Sequence, residues 1–115
     1  MILGIGIDIV EISRVSESLI SKILSPEEID QRNGYLSEKR QKEYLAGRFA
    51  VKEAIKKAFQ SYDGFSGMDD LVVLNDEAGK PYLKSPSFSD KTIHLSLSHE
   101  REYAIGFCVV EKKEI

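Results

Sequence analysis

Glu53 is the acid in Gly47-Arg48-Phe49-Ala50-Val51-Lys52-Glu53-Ala54-Ile55-Lys56-Lys57-Ala58, where Arg48, Lys52, Lys56 and Lys57 surround it and Lys42 stands just upstream. At about 100° per residue in a helix, Glu53 lies over Lys57, and Lys52 over Lys56. A lone carboxylate in a positive field suits a phosphate-rich ligand with a metal ion; the plainer reading is a solvated face of i,i+4 pairs. A second acid, Asp8, follows Gly4 and Gly6 in an apolar stretch. The glycines leave bare backbone beside it, so something can approach closely; the plainer reading is a strand-end carboxylate that caps a turn. Two carboxylates from separate elements, with lysines and His99, could hold a hard divalent cation. Magnesium favours a few carboxylates, several waters and substrate phosphates. The lysines would neutralise phosphate charge and His99 would donate to it. Gly4-x-Gly6 is no dinucleotide fingerprint, since the third glycine is missing and the pair lies inside a strand.

The elements that must position these groups follow from pattern. Residues 2–10 read as a strand, with Leu3, Ile5, Ile7 and Ile9 on a core face and Gly4, Gly6, Asp8 and Val10 on the other. Ser13 is placed to cap a short helix carrying Val15, Leu19, Ile20 and Ile23. Ser25-Pro26-Glu27-Glu28 is a capping-box start, and Asn33-Gly34 a stop. Ser37 opens a long helix to about Phe59, burying Val51, Ala54, Ile55, Ala58 and Phe59. Gly47 implies a close neighbour, because glycine costs about 1 kcal/mol in a helix interior. Phe49 falls on the charged arc, so it is expected to pack on another subunit or a ligand.

Residues 60–70 read as a loop, residues 71–74 as a strand, Asn75 to Pro81 as a turn, and Tyr82-Leu83 as the return. Residues 92–98 put Ile93, Leu95 and Leu97 on one side and His94 with Ser96 on the other. Residues 103–111 form a nearly continuous apolar strand, expected to be central. The order of strand, helices and then about four strands gives an α+β fold, with a mostly antiparallel sheet packed against the long helix.

Composition narrows the function classes. A chain of 115 residues is expected to be one domain over 1–115. A net charge of −3 argues against a general nucleic-acid binder. The basic residues gather instead in one helix, at Lys39, Arg40, Lys42, Arg48, Lys52, Lys56 and Lys57, which suggests an anionic ligand or acidic partner. No apolar run approaches the ~20 residues of a membrane span. No basic region precedes the first apolar run, as a signal peptide would need. The single cysteine, Cys108, excludes an internal disulfide framework, suits a reducing cytoplasm, and reads as a small core residue.

Four stretches carry a resemblance. Gly4-Ile-Gly6-Ile-Asp8-Ile-Val-Glu11-Ile-Ser-Arg14, Tyr44-Leu-Ala-Gly47-Arg48-Phe49-Ala50-Val-Lys52-Glu53-Ala54, Asn75-Asp-Glu-Ala-Gly79-Lys80-Pro81, and Ser96-Leu-Ser98-His99 followed by Tyr103-Ala104, in this order, resemble the bacterial holo-acyl-carrier-protein synthases. These are short-type 4′-phosphopantetheinyl transferases. The resemblance runs from Met1 to about Glu111. It implies transfer of the phosphopantetheine arm of coenzyme A to a serine of apo acyl carrier protein, releasing adenosine 3′,5′-bisphosphate, in fatty acid biosynthesis.

It also implies magnesium held by Asp8 and Glu53, with Lys57 completing the catalytic set. Coenzyme A would be bound by Arg48, Lys57, Asn75, Gly79, Lys80, Pro81 and His99. The acidic carrier would dock on Arg14, with Lys39, Arg40 and Lys42 helping. Members of this type are homotrimers with active sites between subunits, which suits the small chain, Phe49 and the apolar last strand. Two departures stand out: the segment between Arg14 and Ser25 is shortened, and Gln60-Ser61-Tyr62 replaces the family's Gly-Thr-Gly. The competing readings are a metal-dependent phosphohydrolase using the same carboxylates, and a non-catalytic module that binds an acidic partner through the basic helix.

Overall fold

Strand β1 (Ile2–Glu11) turns its glycines, not its isoleucines, toward the long helix α3 (Glu38–Phe59). In the computed structural model, which describes residues 1–59 and 67–114, β1 pairs antiparallel with β5 (Tyr103–Lys112), and β5 pairs antiparallel with β4 (Lys91–His99). The strand order β1-β5-β4 makes β5 central, as its composition predicts. The inner face presents Gly4, Gly6, Ala104, Gly106 and Cys108, and the helix lies directly on them. A Cβ at Gly4 would fall 1.7 Å from Ala58 O, and one at Gly6 1.9 Å from Ala54 O. At Gly106 it would fall 2.4 Å from Val51 Cα.

Backbone therefore meets backbone, with no room for branched side chains between. This overturns the expected facing of β1. Ile5, Ile7 and Ile9 are 60%, 58% and 59% exposed. With Leu3, Tyr103, Ile105 and Phe107 they form an exposed apolar face on the far side of the sheet.

The core lies along α3. Val51, Ala54, Ile55 and Ala58 pack with Leu71, Val73, Leu95, Cys108 and Val110. Phe59 packs against this cluster while partly buried. Gly47 has the close neighbour its position implied: a Cβ there would meet Leu97 Cδ2 at 3.0 Å. A second cluster, Ile23, Leu24, Tyr44 and Leu45, lies nearer the start of the helix.

Local start signals hold in two places and fail in one. Ser37 Oγ accepts from Arg40 N at 3.1 Å and opens α3. At α2 (Pro26–Asn33) the capping box is complete: Ser25 Oγ accepts from Glu28 N at 3.3 Å and Glu28 Oε1 accepts from Ser25 N at 2.8 Å. Ser13 caps nothing. Ile12 N donates to Glu102 O at 2.7 Å, so the chain leaves β1 through a 3-10 turn, Ile12–Arg14. A second 3-10 turn, Glu17–Leu19, is capped by Ser16, and a single α turn follows, α1 (Ile20–Ile23).

β2 (Val72–Asn75) and β3 (Pro81–Ser85) form a separate two-stranded sheet. Asp76 Oδ1 accepts from Ala78 N at 2.9 Å and Lys80 N at 2.8 Å, and Gly79 takes the positive φ of 86° that closes the turn. The other edge of β2 is closed by side chains in place of a third strand. Glu28 Oε2 accepts from Val73 N at 2.9 Å, and Arg48 Nε donates to Val73 O at 2.7 Å. Gln31 accepts from Asn75 N and donates to Asn75 O, both at 3.0 Å. The expected loop from Gln60, with the Gln60-Ser61-Tyr62 departure, lies mostly outside the described residues; within the described part, Met68–Asp70 forms a 3-10 turn. Among the described residues no helix is long and apolar enough to cross a membrane.

Candidate functional site

The close approach of β1 to α3 brings Asp8 and Glu53 into one cleft of about 670 Å³. Asp8 comes from the strand and Glu53 from the helix, with side chains 18% and 24% exposed. Phe49, Leu19 and Tyr103 supply apolar wall, and Arg14 stands at the rim with 84% of its side chain exposed. The charge pairing differs from the helical wheel. Lys57 reaches across to the strand, donating to Ile7 O at 3.0 Å and Asp8 Oδ1 at 3.1 Å. Glu53 faces Lys56 at 3.6 Å in place of the expected Lys57. The strand passes one helical turn from Glu53, so Lys57 finds Asp8 first. Phe49 is half-buried against the second core cluster of its own chain, and what remains of its surface faces this cleft. The expectation that Phe49 packs on another subunit or a ligand is met first by its own chain, and its remaining surface lies where a ligand in the cleft would touch it.

The other predicted site residues gather elsewhere. Arg48, Asn75, Gly79, Pro81 and His99 line a smaller pocket of about 140 Å³, with Tyr44 and Arg40. None of its residues lines the Asp8 cleft. Arg48 is 2% exposed, and its Nη2 donates to Asn75 Oδ1 at 2.6 Å. Its guanidinium stacks on Tyr44 at 4.1 Å. Among the described residues Arg48 pairs with no glutamate of its own helix. Asn75 is also committed inward, because Nδ2 donates to Tyr35 OH at 3.3 Å. Lys80 is exposed at the turn and does not line the pocket.

His99 Nδ1 lies 3.3 Å from Glu43 Oε2, and Arg40 Nη1 lies 3.3 Å from both Glu43 Oε1 and His99 Nε2. Its place in the chain groups Arg40 with Lys39 and Lys42. The structure sets it beside His99, whereas Lys39 and Lys42 line a third concavity with Glu11 and Arg101. Arg14 forms a 2.9 Å pair with Glu11.

Lys52 departs most from its sequence reading. It is fully buried, donating to Glu28 Oε1 and Ile23 O, both at 2.6 Å. Burial pulls its pKa down, and the Glu28 carboxylate opposes that pull. Helix α2 covers what a wheel presents as a solvated arc. Burial also pushes the Tyr44 hydroxyl up to about 12, and the Cys108 thiol up to about 12, as an inert core residue requires. Sequence reasoning missed Glu28 and Gln31 as links between α2 and β2; the capping box drew notice to Glu28 only for its local role.

The comparisons with known proteins agree in direction. The family model described as the 4′-phosphopantetheinyl transferase superfamily matches residues 4–108. A holo-[acyl-carrier-protein] synthase of Petrotoga mobilis is 42% identical over 118 aligned positions, covering 96% of this chain and 97% of its own. One from Anoxybacillus flavithermus is 44% identical over 119 positions, covering 97% and 98%. The crystal structure of the Bacillus anthracis holo-(acyl-carrier-protein) synthase in complex with CoA (3′,5′-ADP) matches with a TM-score of 0.86 and 39% identity, covering 98% of this chain and 99% of that one.

Proposed function

The chain belongs to the 4′-phosphopantetheinyl transferase superfamily, and from that membership we infer how its two concavities divide one reaction. The protein is a holo-[acyl-carrier-protein] synthase: it moves the 4′-phosphopantetheine arm of coenzyme A to a serine of apo acyl carrier protein. The serine oxygen attacks the phosphorus next to the pantetheine. The bond to the second phosphate breaks, and adenosine 3′,5′-bisphosphate leaves.

The observation that carries the site assignment is the juxtaposition of Asp8 and Glu53 in one cleft, Asp8 paired with Lys57 and Glu53 with Lys56. This donor set fits magnesium, whose sites need only one or two carboxylates beside waters and phosphates. When bound, magnesium would supply charge neutralisation on the pyrophosphate. Lys57 is half exposed and within reach of Asp8, so its ammonium can donate to a phosphate oxygen at the same place. A water held by Asp8 or Glu53 takes the serine proton in this reading. Arg48, with Arg40 beside it, and His99 offer cationic and hydrogen-bonding groups to the nucleotide end, against the Gly79–Pro81 turn. Arg14, at the cleft rim, receives the acidic carrier, with Lys39 and Lys42 beyond it.

The two concavities share no residue within one chain, and the outer face of the sheet is apolar and exposed. Both features favour a homotrimer in which one subunit's cleft meets its neighbour's pocket. The setting is the cytoplasm and fatty acid biosynthesis.

The test is mass spectrometry of apo carrier incubated with the protein. The carrier gains the phosphopantetheine mass only with coenzyme A and magnesium. Hydrolysis of coenzyme A without carrier would point instead to a phosphohydrolase. Sedimentation reports the trimer, which Ile7→Arg is expected to dissociate.

A further inference from the structure

The side chains that close the free edge of β2 also set one wall of the smaller pocket. Asn75, Gly79 and Pro81 belong to the β2–β3 hairpin, whereas Arg40, Tyr44 and Arg48 belong to α3. The hairpin shares no ladder with the three-stranded sheet, so its place against α3 depends on side chains. Glu28 and Arg48 each have another task, one neutralising Lys52 and the other lining the pocket.

Gln31 lines no part of the pocket, yet it bonds to both walls. Its Nε2 donates to Asn75 O at 3.0 Å. Its Oε1 accepts from Asn75 N at 3.0 Å and from Tyr44 OH at 2.8 Å. Asn75 in turn accepts from Arg48 and donates to Tyr35, and the Tyr35 ring carries the Arg40 guanidinium at 4.9 Å. One amide thus fixes the hairpin and, through Asn75 and Tyr44, the residues that orient both guanidinium groups.

We propose that Gln31 is the positioning residue for coenzyme A, clasping the hairpin to α3 so that Arg40, Arg48 and the Gly79 turn stand ready for the nucleotide. This rests on the transferase reading above. The Asp8 cleft shares no residue with this network, so Gln31 acts on nucleotide affinity and not on the chemical step.

The experiment compares Gln31→Met, which keeps length and removes all three bonds, with Gln31→Glu, which keeps the two accepted bonds. For Gln31→Met the KM for coenzyme A rises roughly tenfold, while kcat and the KM for apo carrier stay within about twofold. Gln31→Glu falls between it and the wild type. Calorimetric affinity for adenosine 3′,5′-bisphosphate weakens in parallel. An equal rise in both KM values, or a folded variant with unchanged KM for coenzyme A, overturns the proposal. If Gln31→Met does not fold, Gln31→Glu carries the same comparison. Failure of the transferase reading looks different: the wild type then transfers nothing, and nucleotide affinity alone decides the role of Gln31. A wild type that binds no nucleotide overturns both.

Discussion

The cleft around Asp8 and Glu53 is lined by partly exposed ion pairs, whereas the pocket around Arg48 and Asn75 is held by a largely buried network. Asp8 meets Lys57, whose side chain is 55% exposed, and Glu53 meets Lys56 at 3.6 Å. A pair with an exposed partner is worth only about 0–1 kcal/mol, so Lys57 can be exchanged for a ligand's charges at little cost. On the other side Arg48 makes two short hydrogen bonds and a ring contact, and Asn75 uses both ends of its amide. That side is built before any ligand arrives, which lowers the ordering cost of binding. In the proposed reaction, the region assigned to neutralise changing charge keeps its partners loose, and the region assigned to recognise the nucleotide keeps them tight.

The sharpest way to break this contrast is to remove the cleft carboxylates. Asp8→Ala with Glu53→Ala is expected to lower transfer on the order of a thousandfold, as the loss of several kcal/mol of charge stabilisation implies. Its unfolding free energy stays within about 0.5 kcal/mol of the wild type, because no tight network is lost. Retained transfer would reject the assignment. Glu28→Ala tests the tight side. It strands the Lys52 ammonium in a site without solvent, and urea denaturation should show a loss of about 3 kcal/mol.

A smaller effect is expected at the rim. Arg14→Ala raises the KM for carrier roughly threefold at low salt, and the difference shrinks as salt screens it. The smallest concerns pH. Burial holds the Cys108 thiol up to about 12 against an ordinary 9.0, so the unfolded chain loses this proton first. Tyr44, raised from 10.0 to about 12, acts in the same sense. The stability that each supplies below its ordinary value is lost as pH rises toward 12. In Cys108→Ala the fall in urea midpoint between about pH 8 and about pH 10.5 should be shallower; an unchanged slope would exclude the thiol.

What could be read in advance was mostly local. The Ser25–Glu28 box, the Ser37 start, the need for a neighbour at Gly47 and the central place of the last strand follow from short-range chemistry. The two carboxylates were legible as types, and the family resemblance joined them. Facing and pairing were not legible. The Leu3-Ile5-Ile7-Ile9 alternation reads as a core face whenever the packing partner is unknown; here the partner is helix backbone, which selects the glycine face instead. Lys52 looks solvated on a wheel because no wheel contains α2. Lys57 looks like a partner of Glu53 because no wheel contains β1. Arg40 sits with basic neighbours in the chain but beside His99 in space, and only the return of β4 reveals it.

The contact of β1 with α3 has a consequence for how the protein tolerates change. Asp8 and Glu53 stand on two backbones separated by little more than atomic radii, as the 1.9 Å gap left for a Cβ at Gly6 shows. Their spacing is therefore set by peptide thickness and not by the volume of core side chains. A single methyl group at Gly4 or Gly6 would meet helix backbone and wedge the two walls apart. The site has the dimensional stability of a machined joint, and its sensitivity to mutation is concentrated in residues that have no side chain at all.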